Sequence, residues 1–269
     1  MKVSIIISVY KDTESLELIL KNLSKQTYKE FEIIVSEDGN SQEMKSFLLN
    51  HPNVKHIYQE DIGWRKNKAL NNAIKHTSGE YLIFIDGDVI PYSNFIENHI
   101  KLSETNKVLI GRRFELGQVV SKLLRNKIFN AYYLEMFLLP LIPLMILDKA
   151  RHIEDGIKLK INGFLEKKRN SKCNKMILGC NFSCFKKDLE IINGFDEKYI
   201  NPTVGEDEDL MWRFEYFNIK MKPIIHLANV FHLWHHKRWD DNTIEENHKI
   251  LKLAQKNKEY FCKNGLIQP

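Results

Sequence analysis

The sequence predicts an α/β fold built on a mostly parallel sheet flanked by helices, and three observations lead there. Apolar runs without polar alternation, such as residues 81–85, read as strands buried on both faces. Segments of helical period alternate with them, which is the pattern of βαβ units. Carboxylates stand just past the ends of these runs, at Glu37-Asp38 and at Asp86-Gly87-Asp88, on the edge where open α/β sheets bind ligands.

In chain order, the β-branched run 3–9 is the first strand and ends at Tyr10-Lys11-Asp12. A helix opens at Thr13 with Leu16, Ile19, Leu20 and Leu23 on one face. Residues 31–35 form a second strand, followed by a helix over 42–50 and a short strand over 54–58. A helix over 67–76, with Ala69, Leu70, Ala73 and Ile74 at helical spacing, leads into the run 81–85. That run stops at two carboxylates separated by Gly87, a pair that calls for a divalent cation. The glycine allows a sharp turn and close approach of a phosphate. An ordinary Asp-Gly turn explains the same tripeptide without any ligand.

At 269 residues the chain is one large α/β domain or two small ones. With 43% hydrophobic and 28% charged residues the composition is that of an ordinary globular protein. The formal charge of +5 suits an anionic substrate or a membrane surface without demanding either. Cys173, Cys180, Cys184 and Cys262 lack Cys-x-x-Cys spacing and read as reduced thiols. The first apolar run is too short and too β-branched for a signal peptide, so a cytoplasmic location is expected.

Residues 112–175 break the alternation. Within them 128–147 is almost continuously apolar, near the roughly 20 residues a spanning helix needs. Glu135, Pro140 and Pro143 argue against a clean span. Lys122, Arg125 and Lys127 precede the run, and Lys149 and Arg151 follow it, as in a segment lying on the inner face of an anionic membrane. A buried or dimer-forming helical hairpin is the alternative. Residues 158–174 read as a polar connector, and Lys167-Lys168-Arg169 as a solvated face with no aromatic interleaving, not a nucleic-acid site. A strand is expected over 176–185 and a helix over 186–192. Gly205-Glu206-Asp207-Glu208-Asp209 then opens a further helix, whose dipole accounts in part for four consecutive acids and sufficiently for Asp209. The tail 240–269 is helical and charged.

The order and spacing of these pieces resemble family 2 glycosyltransferases of GT-A fold. The resemblance rests on Val3-Ser4-Ile5-Ile6-Ile7-Ser8-Val9-Tyr10, Gln26-Thr27, Glu37-Asp38-Gly39, Arg65 with Ala69, Asn71 and Ala73, and Asp86-Gly87-Asp88. Gly179-Cys180-Asn181, Gly194-Phe195-Asp196 and Gly205-Glu206-Asp207 are similar to the acceptor half of β-galactosyltransferases and chondroitin-polymerase-like enzymes. The resemblance implies that Ser8 and Tyr10 line a base pocket, Asp38 accepts from uracil, Arg65 supports the nucleotide and Asp86 faces the ribose. It implies that Asp88 binds Mn²⁺ or Mg²⁺ bridging the diphosphate, beside the phosphate that Gly87 lets approach. His232 is the expected imidazole ligand, with His235 second. Asp207 would be the catalytic base and Glu206 would hold the acceptor. Glu37 stands where aspartate is commoner in the family; packing at a strand end for Tyr10, and helix capping for Glu37 and Asp38, remain alternatives.

The organisation expected is a single domain over 1–269: a nucleotide-sugar-binding half (1–111), a helical apolar insertion (112–175), an acceptor half (176–239) and a tail. The expected activity is inverting, metal-dependent transfer from a nucleotide-sugar, a UDP-sugar by preference, to a saccharide or lipid-linked acceptor in bacterial surface polysaccharide assembly. The alternatives are an inactive nucleotide-sugar-binding or scaffold protein, and a metal-dependent phosphoesterase.

Overall fold

The computed structural model describes residues 1–202, 206–236 and 241–268. The first half alternates as expected: β1 (Val3–Val9), α1 (Thr13–Leu23), β2 (Phe31–Glu37), α2 (Gln42–Leu48), β3 (Val54–Tyr58), α3 (Lys66–Lys75) and β4 (Tyr81–Asp86). Then come β5 (Val89–Pro91), α4 (Phe95–Leu102), β6 (Lys107–Ile110) and β7 (Phe114–Glu115). The insertion holds α5 (Gln118–Arg125), α6 (Ala131–Met136), α7 (Leu138–Leu147) and α8 (Phe164–Lys172). The chain continues with β8 (Phe182–Phe185), α9 (Lys186–Ile191), α10 (Glu206–Tyr216), β9 (Lys220–Pro223), β10 (Val230–His232) and α11 (Asp241–Asn257).

A seven-stranded sheet runs β3-β2-β1-β4-β8-β6-β9 among the described residues, with β8 antiparallel to both its neighbours. Both faces are covered, which is why the strands carry no polar alternation. Ile5, Ile7, Ile83 and Ile85 pack on the side of α1, while Ile6, Leu82 and Phe84 pack with Leu70 and Ile74 of α3. Successive strand residues point to opposite faces, so an unbroken apolar run serves two cores. A small second sheet, β5-β10-β7, stands beside the first.

Polar side chains pin the layers at named points. Asp12 caps α1 by accepting from Ser15 N at 2.9 Å, and Ser41 caps α2 by accepting from Met44 N at 2.9 Å. Buried Gln26 donates to the Tyr92 carbonyl at 2.6 Å and accepts from Ile96 N at 3.0 Å, tying α1 to α4. Asn71 donates to the Phe195 carbonyl at 2.8 Å and accepts from Phe195 N at 3.0 Å. Gly194 precedes it at φ +72, a conformation that favours glycine.

Four local expectations need correction. The strand expected over 176–185 is confined to Phe182–Phe185, because Gly179 to Asn181 turn into the sheet. The connector 158–174 contains α8, whose Phe164 and Leu165 are exposed; a helix with no apolar face leaves no periodic signal. In the tail, α11 ends at Asn257, and Asp240 and Pro269 lie outside the described residues. The four acids at the start of α10 are not equivalent, and Gly205 also lies outside the described residues. Asp209 is not spent on the helix dipole: its Oδ2 lies 2.6 Å from buried Arg213.

The apolar run 128–147 is two short helices, broken at Phe137. Of α7 only Leu138 and Met145 are buried, so the segment is not a core hairpin. No helix among the described residues is long and apolar enough to cross a membrane.

Candidate active site

The C-terminal ends of β1 and β4, the turn before β8, the start of α10 and the stretch after β10 wall one cavity of about 660 Å³. β1 and β4 pair in register up to Ser8 and Asp86, which brings both residues to the cavity floor. A Cβ at Gly87 would come 2.8 Å from the Ser8 carbonyl oxygen and 3.0 Å from Val9 Cγ1. Its φ is not positive. The glycine is therefore required by the close approach to β1 rather than by the sharp turn expected.

At one end of the cavity stand Tyr10, half-exposed, and Asp38, buried. The Asp38 oxygens accept from Gln59 Nε2 at 2.8 Å and from Arg65 N at 2.7 Å, and burial pushes its pKa upward. Glu37 belongs to the scaffold: fully buried, it accepts from Ser41 N at 3.0 Å and lies 2.9 Å from His56 Nε2. Arg65 contributes its backbone N–H, while its guanidinium donates to the Trp64 carbonyl at 3.0 Å and does not line the cavity. Trp64 and Lys66, on either side of it, do.

At the centre, Asp88 Oδ1 lies 3.5 Å from His232 Nε2 and Asp88 Oδ2 lies 3.3 Å from His235 Nε2. Pairing of His232 with Val89, and the hydrogen bond of Leu233 N to the Asp88 carbonyl at 2.9 Å, hold this arrangement. The donor set fits a divalent cation. Asp88 Oδ1 is buried without a hydrogen-bond partner, and the three ligand atoms lie within 4.8 Å of one another. His235 Nδ1 is 2.8 Å from the His236 carbonyl, which can only accept, so Nδ1 donates there and Nε2 is the nitrogen turned to Asp88. Burial pushes the His232 pKa down, keeping the imidazole neutral as a ligand must be. One carboxylate and two imidazoles suit Mn²⁺ better than the all-oxygen preference of Mg²⁺.

Across the cavity, Asp207 Oδ2 accepts from Gly179 N at 3.0 Å. A Cβ at Gly179 would stand 3.0 Å from Asp207 Oδ1, so glycine lets the turn seat against the carboxylate. Burial raises the Asp207 pKa to about 6 despite the nearby Lys66 ammonium. Glu206 is more buried; its Oε1 lies 3.5 Å from Lys66 Nζ, its Oε2 has no partner, and burial raises its pKa to about 7. Lys66 Nζ is also 3.0 Å from Asp86 Oδ1. Burial opposes the Asp86 charge, but Lys66 outweighs it and the net shift is downward. Lys66 thus ties the end of β4 to the start of α10, a role the sequence reading missed. Its adjacency to Arg65 at the first turn of α3 was the available signal. Arg113 was missed as well: it lines the cavity with its Nη2 3.1 Å from Glu115 Oε1.

The sequence model described as glycosyl transferase family 2 matches residues 4–180, and that described as the N-terminal domain of galactosyltransferase matches residues 160–236. An uncharacterized glycosyltransferase of Bacillus subtilis, YfnE, is 30% identical over 243 residues, covering 85% of this chain and 55% of YfnE. The chain thus spans about half the length of that relative. The GalNAc(5)-diNAcBac-PP-undecaprenol beta-1,3-glucosyltransferase of Campylobacter jejuni is 31% identical over 91 residues, 32% of this chain and 29% of that protein. Among solved structures, GalNAc-T7 with UDP, GalNAc and Mn²⁺ superposes with a TM-score of 0.63 at 13% identity, covering 94% of this chain and 48% of that one. With a family match across more than half of its length and the sheet and cavity arranged as described, the chain belongs to glycosyltransferase family 2 and has the GT-A fold.

Proposed function

We propose that the protein transfers a sugar, with inversion, from a UDP-sugar to a hydroxyl of a saccharide or lipid-linked saccharide, in the assembly of bacterial surface polysaccharide. The observation that carries this reading is the convergence of Asp207, Lys66, Asp86 and the Asp88-His232-His235 group on one cavity. Tyr10 offers an aromatic face for a base, Asp38 an acceptor for an imide N–H, and Ser8 and Asp86 the polar floor below the ribose. The solved relative carrying UDP and Mn²⁺ supports the choice of donor and ion.

Asp88, His232 and His235 hold Mn²⁺ or Mg²⁺, which offsets the charge of the leaving diphosphate when bound. Glu206, with one oxygen unpaired, holds an acceptor hydroxyl. Asp207 takes the proton from the attacking hydroxyl, whose oxygen bonds to the anomeric carbon as the bond to the diphosphate oxygen breaks on the opposite face. The anomeric configuration inverts.

Calorimetry tests the metal centre. UDP is expected to bind more tightly with Mn²⁺ than in EDTA, and Asp88→Ala to abolish the difference; equal affinity with and without metal in the wild-type protein sinks the assignment.

The exposed run 128–147 and its basic flanks support peripheral contact with an anionic membrane. Vesicles containing anionic lipid are expected to sediment the protein where neutral vesicles do not. Salt should weaken this binding, because screening at physiological ionic strength limits surface attraction to about 8 Å. Protein left in the supernatant with both vesicle types at low salt refutes the contact.

A further inference from the structure

The two imidazoles beside Asp88 are anchored in different ways. His232 is held by sheet pairing on both sides, opposite Val89 of β5 and Glu115 of β7, and its carbonyl accepts from Leu116 N at 2.9 Å. His235 lies beyond the end of β10, where the backbone must find its partners outside the sheet. Trp234, next to it, finds both of them on α5. The Trp234 N–H donates to Ser121 Oγ at 2.9 Å, and the Trp234 carbonyl accepts from Arg125 Nη1 at 3.1 Å.

Helix α5 is shaped for that grip. Ser121 and Arg125 are four residues apart, so they share one face of the helix at a spacing of about one turn. Val120 and Leu124, the residues before each of them, are buried in the same core as Leu233. The Asp148 carboxylate caps the helix from the end of α7, accepting from Val119 N at 2.9 Å and from Val120 N at 2.8 Å. A Cβ at Gly117 would stand 1.9 Å from the Asp148 carbonyl oxygen, so glycine is what lets that cap close. Ser121 is fully buried, and satisfied buried polar contacts of this kind rigidify what they join. Arg125, one of the cations that precede the apolar run 128–147, is thus engaged by the metal-binding segment.

We infer that Ser121 and Arg125 are positioning residues for the metal centre: by fixing both backbone groups of Trp234 they keep His235 Nε2 within reach of the ion held by Asp88. The inference rests on the transferase reading above and identifies what sets its third metal ligand. His235 Nδ1 donates to the His236 carbonyl, which orients the ring, while the clamp on Trp234 places it. His232 has its own anchorage in the sheet. Loss of the clamp should therefore cost the ion no more than loss of His235 itself.

The test is Mn²⁺ binding to the full chain in the presence of UDP, followed by electron paramagnetic resonance of the free ion. Ser121→Ala removes the acceptor, and Arg125→Met removes the donor while keeping most of the packing of the side chain. Each is expected to weaken Mn²⁺ about ten-fold, the lower end of the 10–100-fold usual for partners that orient a metal ligand. Arg125→Lys retains a donor and should recover part of the loss. UDP affinity in EDTA should stay at the wild-type value in all three. In a His235→Ala background neither Ser121→Ala nor Arg125→Met should weaken Mn²⁺ further, because the ligand through which they act is gone. A purely structural role gives the opposite result, either equal losses in both backgrounds or a lowered unfolding midpoint with Mn²⁺ affinity unchanged, and either outcome overturns the inference. The wild-type protein separates the failures. Mn²⁺ bound equally by wild type and variants overturns the clamp alone, whereas no Mn²⁺ bound by wild type overturns the metal centre of the transferase reading and the clamp with it.

Discussion

Asp207→Asn is expected to lower turnover by at least about 100-fold while UDP and Mn²⁺ affinities stay near wild type, because general base catalysis contributes about 10²–10⁴-fold. The amide keeps the shape and can still accept from Gly179 N, so only the proton acceptor is lost. The pH dependence carries a second check. A base must be ionised to take a proton, and burial raises Asp207 to about 6. The wild-type rate should therefore climb as pH rises through about 6 and level off above it. Glu215→Gln, exposed two turns further along α10 and outside the cavity lining, should transfer like wild type. Near-normal transfer by Asp207→Asn would falsify the role. Asp209, which reads from the sequence as the natural control, cannot serve, because its carboxylate is held by Arg213 inside the protein.

Arg213→Met is expected to destabilise the fold by roughly 3–5 kcal/mol, the usual effect of removing one partner of a buried ion pair. Arg213 is fully buried; it donates to Asp209 Oδ2 at 2.8 Å and to the Ile192 and Gly194 carbonyls at 2.8 and 2.7 Å. The substitution strands a carboxylate and two carbonyls. Adding Asp209→Asn removes the stranded charge and should recover part of the loss. Thermal unfolding, with about 2–4 °C per kcal/mol expected for a large domain, reads both variants. A shift of the midpoint within about 2 °C for Arg213→Met would show that the pair adds nothing to stability.

The elements legible in the sequence were those long enough to show a period. β1 and β3 fall at the expected bounds, and α1, α3 and β4 lie within a residue or two of them, because each is at least five residues long. β5, β7 and β10 were not legible: strands of two or three residues have no period, and what defines them is a partner far along the chain. The same limit governs the site. Acids just past a strand end pointed to Asp88, and the order of motifs to Asp207 and His232. The bridge from Lys66 to Asp86 and Glu206 joins residues separated by up to 140 positions, and beyond its adjacency to Arg65 nothing local to Lys66 announces it. Arg65 and Lys66 are neighbours at a helix start, where successive side chains point about 100° apart, so only one of them can face the cavity.

One hydrogen bond closes a long excursion of the chain. Gly111 N donates to the Asn181 carbonyl at 2.9 Å, next to the Ile110–Phe182 pairing. Everything between those two points leaves the main sheet and returns to it at a fixed gate. The entropy of closing such a loop grows only with the logarithm of its length, about 0.6 kcal/mol per doubling. Descent can therefore lengthen or shorten the stretch, provided that Phe114 and Glu115 still pair with β10 and Gly179 still meets Asp207. A lineage can in this way reshape one wall of the cavity in one genetic event while the ends of β1 and β4 keep theirs.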